Sequence, residues 1–69
     1  MEKREEILNT MERILKGKID QEKTFLDSGG DSITAMEVIW ELDTKGYRLD
    51  LNMLFNQNVG EILDHVVQG

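Results

Sequence analysis

An all-α fold, a small four-helix bundle, is the architecture the sequence predicts, and three observations predict it. Apolar residues recur at helical spacing in four separate segments. Each segment starts at Asp, Ser or Asn or stops at Gly, the residues that cap and end helices. The third observation is bulk composition. At 39% hydrophobic residues, the 69-residue chain is too apolar for disorder and long enough for one modest core. Residues 1–69 are therefore read as a single domain.

The first helix is predicted over residues 2–16. Ile7, Leu8, Met11, Ile14 and Leu15 share one face, charged residues fill the other, and Gly17 is the stop. A connection of about fifteen residues follows, 17–31. Long ordered connections are usually functional. Ile19, Phe25 and Leu26 are expected to pin this one onto the core.

The second helix is predicted over 32–45, stopped by Gly46. At about 100° per residue, Ala35, Val38, Ile39 and Leu42 fall on one side. Ile33, Met36 and Trp40 fall nearly opposite, among Glu37, Asp43 and Thr44. A helix apolar on two faces is either fully buried or offers one face to a partner. So small a bundle, with Glu37 between these residues, is not expected to bury both, so Ile33, Met36 and Trp40 are read as an exposed docking stripe; the alternative is that Trp40 caps the core from the side. Met and Trp suit protein-binding surfaces.

Tyr47 to Asp50 form a short extended link. Asp50 caps a short third helix, 51–56, with Leu51, Leu54 and Phe55 inward. Asn58 caps the fourth, and Glu61 three residues on completes a capping box. Ile62, Leu63, Val66 and Val67 are its core face, and His65 lies on the outer one.

The stretch Asp27-Ser28-Gly29-Gly30-Asp31-Ser32-Ile33 organises the rest. Two glycines permit an open turn. Asp31 or Ser32 caps the second helix. A serine hydroxyl thus stands at a helix start, where free N–H groups and the dipole favour a phosphate. The only histidine, His65, is far along the chain, so Ser32 has no base and enzymatic chemistry is not expected. A calcium loop starting at Asp27 fails, because its sixth position is Ser32 and its twelfth Val38, not glycine and glutamate. No metal is expected.

Charge and composition narrow the partners. The net charge is −6, and all of it arises in residues 24–69, where eight acids face Lys45 and Arg48. Nucleic acid would be repelled, whereas basic protein surfaces would be attracted. There is no cysteine, hence no disulfide or thiolate metal site. No apolar run approaches a membrane span. The expected setting is cytoplasmic, and the initial Met with no flanking linker suggests a free-standing protein.

Phe25-Leu26-Asp27-Ser28-Gly29-Gly30-Asp31-Ser32-Ile33-Thr34-Ala35-Met36 resembles the signature of peptidyl carrier (thiolation) domains of nonribosomal peptide synthetases, in the acyl/peptidyl carrier superfamily. The element order resembles that acyl-carrier-protein-like fold across nearly the whole chain. Gly46-Tyr47-Arg48-Leu49 and Leu54-Phe55 resemble its later motifs. Glycine at both 29 and 30 is similar to the peptidyl type. Three features depart from the pattern. Ser28 replaces a leucine, no Pro-Thr precedes the last helix, and Glu37, Glu41 and Asp43 make the second helix acidic, as in fatty-acid carriers.

The resemblance implies a carrier, not an enzyme. A phosphopantetheinyl transferase moves 4′-phosphopantetheine from coenzyme A onto Ser32, with Asp31, Gly30 and Gly29 around the attachment point. The arm carries aminoacyl, peptidyl or acyl groups as thioesters. Adenylation or ligase enzymes load it, and condensing, tailoring or thioesterase enzymes follow. The implied docking surface runs from Ser28 to Asp31 and along Ile33, Met36, Glu37 and Trp40, on a monomer. An acyl carrier of fatty-acid or polyketide type, and a cofactor-free helical adaptor, are the alternatives.

Overall fold

A computed structural model describes residues 2–68, Gln68 by its backbone alone. It contains α1 (Lys3–Leu15), α2 (Ser32–Thr44), α3 (Leu51–Asn56) and α4 (Val59–Gln68). The four-helix expectation holds, with the short third helix and the long α1–α2 connection in place. α1 packs on α2 and α4, and α3 bridges α2 and α4. The core is built from Ile7 and Met11 of α1, Ala35, Val38 and Leu42 of α2, Leu54 of α3, and Val59, Ile62 and Leu63 of α4. Burial of these apolar faces is the main force holding the helices together.

The helix ends show how the chain turns. α2 stops where Gly46 takes φ +92, its N–H reaching Asp43 O while Tyr47 N–H reaches Leu42 O at 2.9 Å. This paired closure is a Schellman motif, and its left-handed position suits glycine. α1 closes in a similar way, but one residue earlier than expected. Lys16, not Gly17, occupies the left-handed position at φ 61, and both it and Gly17 donate to Glu12 O. The Gly17 stop is thus corrected by one residue, and a lysine bears the steric cost of that conformation.

The start of α4 is capped in a way the sequence does not display. Val59 N–H donates to Lys23 O and Gly60 N–H to Gln21 O, both at 2.9 Å. Thr24 and Asn58 form an isolated antiparallel bridge beside them. Carbonyls of the long connection therefore satisfy two of the orphan donors of the helix. Asn58 N–H donates to Glu61 Oε1 at 3.1 Å, the Glu half of the expected capping box. A second anchor lies at the other end of the connection, where Ile19 N–H donates to Glu12 Oε2.

Polar ties cross from α1 to the end of α2. Buried Thr10 donates to Glu6 O at 2.8 Å and accepts from Lys45 Nζ at 3.2 Å. Tyr47 OH donates to Glu6 Oε1 at 2.7 Å, and that bond pushes the phenol pKa above its ordinary value of 10.0. Exposed ion pairs join Arg4 to Asp64 and Arg13 to Glu41. Solvent screening leaves such pairs little net weight.

Candidate functional site

The segment before α2 is a single helical turn closed by glycine. Ser28 N–H bonds Thr24 O, Gly29 N–H bonds Leu26 O, and Gly30 N–H bonds Phe25 O at 3.1 Å. Gly29 has φ +106, a conformation L residues rarely adopt, and a Cβ there would meet nothing within 4 Å. The turn delivers the chain to Asp31, which is extended and forms the N-cap of α2.

The cap is complete. Asp31 Oδ1 accepts from Thr34 N–H at 2.9 Å, while Asp31 N–H donates to Thr34 Oγ1 at 2.8 Å. The Thr34 N–H, and then its hydroxyl, hold the Asp31 carboxyl below its ordinary value of 3.8. Asp31 is therefore an anion at neutral pH, exposed beside the helix start. The expected choice between Asp31 and Ser32 as cap resolves to Asp31, and Ser32 becomes the first helical residue. Thr34 as the second half of the box was not legible, because the usual partner there is Glu or Gln.

Ser32 is exposed, and its hydroxyl makes no hydrogen bond among the described residues. Ser28, the other serine, is half-buried, and its hydroxyl donates to Thr24 O at 3.0 Å. A polar tie thus stands at 28, where the resembled pattern has a leucine.

The second apolar face of α2 is where the spacing placed it. Ile33 is 72% exposed, Trp40 66% and Met36 39%, with Glu37 exposed among them. Leu26 joins them at 37%, so the expectation that it pins the connection inward is corrected. The inward anchors are Ile19 and Phe25. Leu26 follows Phe25 in the helical turn, so the two side chains cannot share a direction. A run of two apolar residues in a loop does not reveal which one turns in.

The two glycines, read together as permitting an open turn, differ. A Cβ at Gly30 would sit 2.4 Å from Phe25 Cε2 and 2.9 Å from Phe25 O. The missing side chain at 30 faces the core, whereas the one at 29 faces open space. His65 is exposed, and among the described residues no group of His, Cys, Asp or Glu could hold a metal ion.

Ser32 thus presents an exposed, unbonded hydroxyl at the start of α2, three residues after the open Gly29. Residues 5–66 match the family model described as Phosphopantetheine attachment site. The chain belongs to this family of carrier proteins. No curated protein and no solved structure matches it at a significant level. The family domain is the point of covalent 4′-phosphopantetheine attachment, is itself non-catalytic, and is modified by a phosphopantetheinyl transferase before it serves partner enzymes. No described helix is long and apolar enough to cross a membrane.

Proposed function

We propose that Ser32 carries the phosphopantetheine arm and that the whole chain, residues 1–69, works as one peptidyl carrier domain. The observation that carries the attachment reading is the contrast between the two serines. Ser32 offers a free hydroxyl in solvent, whereas the Ser28 hydroxyl is tied to Thr24 O. When bound, the arm supplies a terminal thiol that holds an acyl group as a thioester. The protein's own part is presentation. Asp31 fixes the start of α2 and adds a negative charge beside Ser32, Gly29 leaves the approach open, and Gly30 lets the turn close.

Transferase, loading and downstream enzymes must bind this one surface in turn and release it. Leu26, Ile33, Met36 and Trp40 provide the apolar contact, and Asp27, Asp31 and Glu37 surround it with negative charge. A small apolar patch with charge steering gives fast, weak encounters. The proposed partners therefore present basic residues around an apolar pocket. The reading takes the chain as a monomer in the cytoplasm.

The peptidyl type is supported by adjacent glycines at 29 and 30 before Asp-Ser. The acidic α2, with Glu37, Glu41 and Asp43, favours the second reading, a fatty-acid or polyketide carrier. A loading assay separates the two. The phosphopantetheinylated protein is offered to amino-acid-activating adenylation enzymes and, separately, to acyl and malonyl transferases, with intact mass as readout. Aminoacyl addition supports the first reading, and exclusive acyl or malonyl addition overturns it.

A further inference from the structure

Phe25 has no solvent exposure and lies in the core with Met11, Val38 and Leu54. Its carbonyl accepts the Gly30 N–H, and its ring covers the face of Gly30 where a side chain would stand. Cδ2 and Cε2 would be 2.5 and 2.4 Å from a Cβ there. Real Cβ atoms do not approach carbon so closely, and a ring enclosed in the core cannot withdraw without opening a cavity. Gly30 is followed directly by the cap Asp31 and then by Ser32. The ring is thus linked to the attachment point through one residue of bare backbone and one fully bonded cap.

We infer that Phe25 is a positioning residue for Ser32. Its ring seats on the bare face of Gly30 and fixes where the connection hands over to α2. The inference rests on Ser32 being the attachment residue. It assigns the missing side chain at 30 to the core and not to the partner enzyme, and it leaves only Gly29 to serve the open side.

The test uses full-length Gly30→Ala, Phe25→Leu and the double variant, with Gly29→Ala alone and combined with Phe25→Leu for comparison. Each is a substrate for a promiscuous phosphopantetheinyl transferase with coenzyme A. Intact mass gives initial rates at several carrier concentrations, and urea unfolding gives stability. Gly30→Ala is expected to lower kcat by about tenfold or more, since a shift near 1 Å at a reacting group can cost that much. KM should change less than kcat, because three of the four apolar docking residues, Ile33, Met36 and Trp40, lie on α2, and the atoms a Cβ at 30 would meet belong to Phe25 and not to Leu26. Adding Phe25→Leu removes the ring contact and leaves the carbonyl contact, so it should restore part of the lost kcat and stability. The strain at Gly29→Ala has no ring contact and should not be relieved by Phe25→Leu.

Parental kcat in Gly30→Ala, or a double variant no better than Gly30→Ala, would overturn the inference. If Gly30→Ala does not fold, regained helical content in the double variant supports it and an unfolded double variant overturns it. Failure of the attachment reading has another signature, in which the parent chain gains no mass or Ser32→Ala still gains it. The stability comparison would then show the ring contact on its own, and the positioning role would fall.

Discussion

Trp40→Ala and Leu42→Ala, two residues apart on α2, are expected to separate docking from stability. Leu42 is fully buried, whereas Trp40 is 66% exposed. Truncating a core leucine costs about 2–5 kcal/mol. A domain of this size holds roughly 3–10 kcal/mol in total, so Leu42→Ala should unfold much of the population. A Trp covers up to about 250 Å² when buried. About a third of that is covered here, roughly 80 Å², which at 25 cal/mol/Å² is at most ~2 kcal/mol. Alanine's better helix propensity returns about 0.5 kcal/mol. Trp40→Ala should therefore lose about 1.5 kcal/mol or less, read as the change in unfolding free energy by urea with far-UV circular dichroism. At an enzyme surface an exposed Trp anchor is commonly worth about 2 kcal/mol or more, a rise in transferase KM of roughly thirtyfold. The reasoning fails if Trp40→Ala destabilises as severely as Leu42→Ala, or if its KM is that of the parent chain.

Two further outcomes follow from the helix ends. Lys16→Gly relieves a left-handed conformation worth about 1–2 kcal/mol, less the entropy glycine adds to the unfolded chain, and should stabilise by about 0.5–1 kcal/mol. For a domain of this size the melting temperature should rise by about 2–8 °C, and an unchanged or lower value would remove the argument. The Asp31 carboxyl is held below 3.8 in the folded state, so its contribution to stability is present above its unfolded pKa and lost as pH falls through the folded value. The start of α2 should therefore weaken in acid below about pH 4. Thr34→Val removes the hydroxyl but keeps the N–H, so carboxyl NMR titration should show the Asp31 pKa rising part of the way back. No movement would mean that the hydroxyl does not support the cap.

The parts of the fold written in periodicity were readable in advance. Four apolar stripes gave four helices, and the second stripe on α2 emerged exposed because its members lie about 180° from Val38 and Leu42. Capping side chains were readable where they follow common rules, as at Asp50, which accepts from Met53 N–H. Backbone-to-backbone capping was not. Nothing in the side chains of Gln21 and Lys23 announces that their carbonyls close the start of α4. The left-handed Lys16 was hidden because an adjacent glycine is the better candidate on intrinsic grounds. At the site, Ser32 and Asp31 stood out by residue type and order. The division of labour between Gly29 and Gly30 could not be read, since it depends on which face of the turn Phe25 occupies. Leu26 was misplaced for the same reason.

The most direct test of the central claim is to locate the modification. The protein is treated with coenzyme A and a promiscuous phosphopantetheinyl transferase, digested, and mapped by fragmentation mass spectrometry. The expected result is a single phosphopantetheine on Ser32, with Ser28 unmodified and no addition in Ser32→Ala. An addition on Ser28, or one that persists in Ser32→Ala, would contradict the account.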